Sequence, residues 1–345
     1  YGGGFFEEIL TELWESFIAP PITEFFNAIS LGNGIVNSAI QGLLLGVEAG
    51  IAIVFPYVAL FYLTLSILED TGYLTRVAYL MDSFMHKIGL HGRAIIPMIV
   101  GLGCNVPAIM GTRILETKRE RFIASFLILL IPCSARIVII MGLIGSFLGL
   151  IPTLLIYGLI FSIILVVGYT LNKIVKGETY GLVMEMPPYR LPYPKAVLIK
   201  TWKRMKDFIY IAFPLLIASS ISLGLMEYFG VLPYIAEILT PLTVYVLGLP
   251  ALSGITLFFG ILRKELALEM LIVTFGTSNF LLIMTPVQLV VFTIVISLYF
   301  PCIASLAALG KELGWRNAVI MAFGTILVAI IIGAIANIVL TSLNI

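Results

Sequence analysis

Residues 97–113 read PMIVGLGCNVPAIMGTR and lie inside a long apolar run. Pro107 has no N–H and clashes with the preceding turn, and Gly103 gives the backbone extra freedom, so this stretch predicts a broken helix. In lipid, such a break persists only where it is buried in protein or lines a polar cavity. The stretch is therefore either a packing kink or a binding site, in which the thiol of Cys104 and the amide of Asn105 suit a soft or borderline cation.

The composition predicts a polytopic membrane protein. Of 345 residues, 60% are hydrophobic and 11% are charged, whereas soluble domains have about 45–50% and about 25%. A formal net charge of +1 gives no bias toward nucleic acid. Three cysteines, all in apolar segments, do not indicate a secreted disulfide framework. The chain contains no phosphate-binding loop, zinc-protease motif or dinucleotide fingerprint, so we expect no enzymatic activity and no permanently bound cofactor.

Eight apolar segments are long enough to cross a bilayer, which takes about 20 residues. They cover residues 41–68, 94–111, 122–148, 151–171, 207–226, 253–275, 287–309 and 317–343. The loop 173–206 holds eight of the twenty Lys and Arg residues. With eight spans, the Lys and Arg distribution places both termini in the cytoplasm. We expect an all-α fold with an amphipathic N-terminal segment (1–40), a first repeat (41–172), a basic cytoplasmic loop (173–206) and a second repeat (207–345).

The two predicted repeats share sequence landmarks. Phe55-Pro56 recurs as Phe213-Pro214, and Pro132-Cys133 recurs as Pro301-Cys302. Between these landmarks, Gly103 and Gly260 are expected to occupy comparable positions in the two repeats. Membrane repeats of this kind usually place their site near the midplane, where they meet, and build it from broken helices. The duplication therefore predicts an all-α membrane protein of two related halves, each with broken helices, around one shared pathway.

Candidate ligands follow from the breaks. Cys104 and Asn105 lie at the glycine-rich break and Cys302 follows Pro301, so each is beside carbonyls that a proline frees. Cys133 is a weaker candidate because Arg136, one turn away, repels cations. Glu265 is either a functional group or a partner in an ion pair that braces the helices. Without a Cys or His cluster, a transient cation site is expected rather than a permanent one.

Five long motifs then resemble a known family. They are GLGCNVPAIMGTR (101–113), LEDTGYLTRVAYLMDSFMHKIGLHGR (68–93), EMPPYRLPYPKAVLIKTWKRMKDFI (185–209), GILRKELALEML (260–271) and YFPCIASLAAL (299–309). They are similar to the transmembrane part of prokaryotic ferrous iron transport protein B. The resemblance implies Fe(II) uptake through two gate segments, which contain Cys104 and Cys302.

The same resemblance implies the setting of the protein. It places the chain in the inner membrane of a prokaryotic cell, in contact with the lipid bilayer. It implies a GTPase domain, which this chain lacks, and it admits small accessory iron-transport proteins and a homo-oligomer as partners. GTP would act only through that missing domain. Two alternatives stay open: a gate-type permease for an organic solute such as a nucleoside, and an iron-sensing scaffold that does not conduct.

Overall fold

The computed structural model describes residues 34–48, 50–51, 55–175, 177, 189–250, 253–262, 264, 266–275 and 280–342. These residues are helical apart from turns and short connections, and they contain no β-strand, which confirms the predicted all-α fold. The N-terminal segment expected to be amphipathic (1–40) lies outside the described part up to residue 33, as does Glu265. The chain forms two compact units, the first made of Tyr1–Thr71 and Arg190–Tyr234, and the second of Gly72–Tyr189 and Ile235–Ile345.

Fifteen α-helices are described. They are α1 (Gly34–Glu48), α2 (Phe55–Asp70), α3 (Tyr73–Lys87), α4 (Ile95–Gly103), α5 (Asn105–Gly111), α6 (Lys118–Leu130), α7 (Ser134–Ile140), α8 (Leu150–Ile174), α9 (Pro194–Tyr228), α10 (Leu232–Thr240), α11 (Ser253–Leu262), α12 (Leu266–Phe275), α13 (Pro286–Leu298), α14 (Ile303–Leu313) and α15 (Trp315–Ser342). Two π-helical turns, Met141–Gly145 and Pro241–Val246, continue α7 and α10.

In the first unit, α1 packs closely against α9. A Cβ atom on Gly42 would lie 2.5 Å from the carbonyl oxygen of Ser220, and one on Gly224 would lie 2.5 Å from that of Ser38. Both positions therefore need glycine, because the obstacle is backbone rather than a movable side chain. Small residues that let two helix backbones approach are typical of helix pairs in membranes.

A polar cluster around Asp70 joins the end of α2 to the start of α9. One carboxylate oxygen of Asp70 accepts a hydrogen bond from the backbone N–H of Tyr193 at 2.8 Å, and the other accepts from Arg190 at 3.1 Å and Lys200 at 3.3 Å. The Tyr193 N–H, followed by Lys200, holds the pKa of Asp70 below its usual value, although burial acts in the opposite direction. The cluster thus requires an ionised Asp70.

Four described helical segments are long and apolar enough to cross a membrane. They are Lys118–Gly145, Leu150–Ile174, Pro286–Leu313 and Trp315–Ser342. They match the predicted spans 122–148, 151–171, 287–309 and 317–343. The predicted span 41–68 is divided between α1 and α2, which are shorter. The multi-pass membrane architecture is therefore confirmed, while four of the eight spans and the domain bounds stay predictions.

The duplication appears in the backbone as well as in the sequence. Of the seven described glycines with positive φ, all but Gly177 form three pairs: Gly72 and Gly230, at 80° and 63°; Gly89 and Gly248, at 77° and 66°; and Gly149 and Gly314, at 91° and 85°. Gly89 lies against Asn172 of α8, and Gly248 lies against Asn337 of α15. The second member of each pair follows the first by about half of the chain, so the two halves use the same turn at the same place.

Candidate functional site

The break predicted at Cys104 is present and lies in the second unit. Helix α4 ends at Gly103, Cys104 is extended with φ −150° and ψ 132°, and α5 begins at Asn105. The Asn105 side chain is buried, and its oxygen has no hydrogen-bond partner among the described residues. Leaving such a group unsatisfied costs about 1–3 kcal/mol. The Asn105 oxygen is therefore chemically available to a ligand.

A second break, at Pro132-Cys133, separates α6 from α7 as predicted. Ser134, the first residue of α7, donates a hydrogen bond from its hydroxyl to the carbonyl oxygen of Gly103 at 2.9 Å. This bond joins the second break to the break at Cys104. Ser134 was not among the predicted site residues, although a hydroxyl directly after a Pro-Cys pair is a signal for such a role.

Arg136 covers the carbonyl groups that the second break exposes. Its side chain is 1% exposed. One guanidinium nitrogen donates to the carbonyl oxygens of Leu129 at 2.6 Å and Ile131 at 3.1 Å. The other two guanidinium nitrogens have no hydrogen-bond partner among the described residues. The end of α6, where helix carbonyls carry partial negative charge, therefore already holds a positive group.

The third break, at Pro301-Cys302, lies between α13 and α14. Just before it, the Tyr299 hydroxyl donates to the carbonyl oxygen of Leu257 in α11. The sulfur of Cys302 lies 3.0 Å from the Ser305 hydroxyl. The third break is therefore tied to α11 by Tyr299 and to α14 by Ser305.

Lys264 enters the same site from the connection between α11 and α12. Its side chain is 3% exposed. The ammonium group donates to the carbonyl oxygen of Ile296 at 3.4 Å and lies 5.3 Å from the centre of the Tyr299 ring. Lys264 was not among the predicted site residues, and its contacts with Ile296 and Tyr299 bring it to the third break.

The predicted ligands lie at separate helix breaks. Arg136, the reason for ranking Cys133 lower, is directed at the carbonyl oxygens of Leu129 and Ile131. The bond from Ser134 to Gly103 joins the break at Cys133 to the break at Cys104. Among the described residues, no three His, Cys, Asp or Glu side chains are placed to hold a metal ion together. The assignment of Cys104, Asn105, Cys133, Cys302 and Glu265 as ligands stays a prediction.

The contacts correct the expected pairing of the two halves. Gly101, rather than Gly103, matches Gly260, because each lies close to the alanine seven residues later. A Cβ atom on Gly101 would lie 3.8 Å from the Cβ of Ala108, and one on Gly260 would lie 3.5 Å from the Cβ of Ala267. The α-helices that precede the breaks, α4 and α11, end in the same register. Asn105 and Lys264 therefore occupy equivalent positions in the two repeats.

The Pro-Cys breaks set a second equivalence. With Cys133 opposite Cys302, Arg136 corresponds to Ser305. The halves also meet at an ion pair, in which two guanidinium nitrogens of Arg113 contact Glu312 of α14 at 2.7 and 2.5 Å. The two repeats therefore contact each other in the second unit, but they contribute different charges to the site between them.

Comparison with known families gives two matches. The model of the Gate family, described as "Nucleoside recognition", matches residues 51–147 and 209–316, which together exceed half of the chain. The model described as "Ferrous iron transport protein B C terminus" matches residues 153–204. The first match has two segments, one in each predicted half, and the second covers most of the basic loop.

Curated relatives give a consistent picture. The Fe(2+) transporter FeoB of Methanocaldococcus jannaschii is 30% identical over 340 residues, which are 90% of this chain and 51% of the relative. That of Synechocystis sp. is 32% identical over 304 residues, or 79% of this chain and 48% of the relative. The chain spans about half the length of the curated relatives it matches.

A solved structure aligns with the chain as well. The structure of CNTnw in an inward-facing substrate-bound state aligns with 97% of this chain and 88% of its own, at 13% identity and a TM-score of 0.47. The family matches cover both repeats and the loop between them, and the relatives cover most of the chain. The chain belongs to the Gate family and corresponds to the C-terminal membrane part of ferrous iron transport protein B.

Proposed function

We propose that this chain carries Fe(II) across the membrane through the site where its three helix breaks meet. The observation that carries the proposal is the bond from Ser134 to the carbonyl oxygen of Gly103, which joins the breaks at Cys104 and Cys133. At this junction the Asn105 oxygen is buried and has no hydrogen-bond partner among the described residues. The names of the relatives, Fe(2+) transporter FeoB, support iron as the transported ion.

The chemistry of the site suits a passing ion rather than a stored one. Thiol sulfur, amide oxygen and freed carbonyls are acceptable ligands for a borderline divalent cation such as Fe(II). We include Cys104, Asn105 and Glu265 among the ligands, with Cys133 and Cys302. Buried positive groups beside the thiols oppose tight, permanent binding of a cation. A weak site of this kind allows release on the far side.

We also propose the cellular setting that the family resemblance implies. A GTPase domain outside this chain would drive or gate the transport, and this membrane part would itself catalyse no reaction. The relative from Porphyromonas gingivalis is named a fusion of Fe(2+) transport protein A with Fe(2+) transporter FeoB, which supports a small accessory protein as a partner. We place the chain in the inner membrane of a prokaryote, with both termini in the cytoplasm.

A second candidate function is transport of a nucleoside or a similar organic solute. The description of the Gate family model, "Nucleoside recognition", is the observation that favours it. Buried Asn105 and the hydroxyls of Ser134 and Ser305 are groups that hydrogen-bond such solutes. These groups also serve a cation, so only a transport measurement separates the two functions.

Uptake into proteoliposomes tests the proposal. We expect the protein to take up Fe(II), kept reduced by ascorbate, faster than uridine. In the double variant Cys133→Ser, Cys302→Ser, the rate of Fe(II) uptake should fall at least about tenfold, which corresponds to about 1.4 kcal/mol. Ser162→Ala, on an exposed face of α8, is the control. Faster uptake of uridine would favour the second function, and Fe(II) binding without uptake would indicate a scaffold.

A further inference from the structure

We propose that one exposed side of α9 binds the headgroups of anionic phospholipids. This headgroup surface consists of Trp202, Lys203, Lys206 and Tyr210, which are all exposed and belong to the first unit. At 3.6 residues per turn, the four side chains fall within an arc of about 100° on the helix. Their role is independent of the ion pathway proposed above, because it concerns how the membrane part is held in its bilayer.

Ion pairs with α2 use half of the basic residues near the start of α9. Residues 189–206 contain six Lys and Arg residues and no Asp or Glu. Arg190 contacts Asp70 at 3.1 Å, and Lys200 and Arg204 contact Glu69. The side of α9 opposite the headgroup surface is therefore tied to the end of α2.

The two lysines of the headgroup surface have no such acidic partner. Neither Lys203 nor Lys206 forms an ion pair with any residue that the structure describes. The Lys206 ammonium group lies instead 5.6 Å from the centre of the Tyr210 ring. Two like charges on one side of a helix repel each other, and a negatively charged partner removes that repulsion. The headgroup of an anionic phospholipid supplies such a charge.

The aromatic residues of the surface favour a lipid partner. Trp202 is 63% exposed and Tyr210 is 70% exposed. Trp and Tyr concentrate at the membrane–water interface, where one part of the ring meets apolar chains and another meets water. Lysine also suits this layer, since its aliphatic stem lies along apolar surface while its ammonium group stays in the polar region. The combination fits the boundary between hydrocarbon and headgroups.

The length of α9 places the surface at that boundary. Helix α9 has 35 residues, so it is about 52 Å long, whereas the hydrocarbon core is about 30 Å thick. The predicted span 207–226 fills this core. Trp202 and Lys203 then lie about 6–8 Å beyond its edge, within the headgroup layer, and Tyr210 lies just inside the edge. A soluble protein domain does not reach this depth without displacing lipid, so lipid is the favoured partner.

Lys195 provides a matched control on the same helix. It is exposed and forms no ion pair with a described residue, but it lies about 18 Å beyond the edge of the hydrocarbon core. This position is about 10 Å outside the headgroup layer, which is more than the Debye length of about 8 Å at physiological ionic strength. We therefore expect Lys195 to contribute little to lipid binding, although it carries the same charge.

Quenching of Trp202 fluorescence by brominated lipids tests the proposal. The full chain with Trp14→Phe and Trp315→Phe keeps Trp202 as its one tryptophan. This protein is reconstituted in equal mixtures of phosphatidylglycerol and phosphatidylcholine, in which either one lipid or the other carries brominated chains. We expect phosphatidylglycerol to be preferred at Trp202 by at least about fivefold, which corresponds to about 1 kcal/mol.

Lysine variants in the same background identify the cause of the preference. The double variant Lys203→Gln, Lys206→Gln should lose most of it, because each lysine near an anionic surface contributes about fivefold, or about 1 kcal/mol. The double variant Lys203→Arg, Lys206→Arg keeps both charges and should keep the preference. Lys195→Gln should change it by less than about twofold.

Several outcomes would overturn the proposal. Equal quenching by the two brominated lipids with all lysines intact would show that the headgroup charge is not recognised. Weak quenching by both lipids would show that protein or water covers Trp202, and acrylamide, which quenches from water, separates these two cases. If the Gln variants do not fold, the intact lysines still give a test. Raising the salt concentration from about 0.05 M to about 0.5 M should reduce the preference, and no change would contradict an electrostatic contact.

Discussion

Replacement of Ser134 by alanine tests whether the first two helix breaks act as one site. The change removes the hydrogen bond of 2.9 Å from the Ser134 hydroxyl to the carbonyl oxygen of Gly103. Such a bond contributes about 0.5–1.5 kcal/mol, and a buried carbonyl left without a partner costs about 1–3 kcal/mol. Both residues are only partly buried, so water can reach the carbonyl in part. We therefore expect Ser134→Ala to lower the free energy of unfolding by about 1–2 kcal/mol.

The assay is unfolding in detergent, read by circular dichroism, together with Co(II) binding. Ser162→Ala is the matched control, because the Ser162 hydroxyl also donates to a carbonyl, that of Gly158 at 2.8 Å, but on an exposed helix face. Its effect should stay within about 0.5 kcal/mol. Ser134→Ala should also weaken Co(II) binding, since Cys104 would no longer be held beside Cys133. If both variants lose the same stability and bind Co(II) equally, the idea of one joined site is wrong.

Three further predictions concern the packing and charges around the site. Gly42→Ala should destabilise the protein by about 1–3 kcal/mol, because its Cβ would meet backbone at 2.5 Å. Gly158→Ala is the control, since a Cβ atom there would meet nothing within 4 Å. Equal melting temperatures of the two variants would contradict the predicted loss at Gly42. Asp70 has a lowered pKa, so its stabilisation should be complete above about pH 4 and fade at lower pH; Asp70→Asn should show a weaker acid dependence in unfolding experiments. Glu312→Gln should cost less than about 1 kcal/mol, since its partner Arg113 is 57% exposed; a larger loss in the same experiment would indicate that this ion pair holds the repeats together.

The sequence predicted the helix breaks because their causes are local. A proline removes an N–H and blocks the preceding turn wherever it lies, so the break at Pro132-Cys133 could be read without a structure. The four long spans were also predictable, because they need only length and apolar composition.

The composition of the site was less predictable, because it depends on which distant side chains the fold brings together and on where each one points. The repulsion expected from Arg136 was inferred from its spacing of one helical turn, whereas the structure directs its guanidinium group to two carbonyl oxygens. Lys264 contacts Ile296 and Tyr299, which lie in a later helix and the break after it, so no local pattern indicates these contacts. The expected equivalence of Gly103 with Gly260 relied on residue identity, and the packing of Ala108 and Ala267 corrects it.

The duplication has a consequence for how the site can change. Two identical halves would carry the same group at each pair of equivalent positions, so every substitution would appear twice in the protein. Fusion into one chain lets each copy change alone, and here Lys264 occupies the position equivalent to Asn105, while Ser305 occupies the position equivalent to Arg136. Each half keeps the cysteine of its Pro-Cys break but supplies its cation from a different break. The two copies can therefore take different parts in the proposed pathway, which identical copies could not.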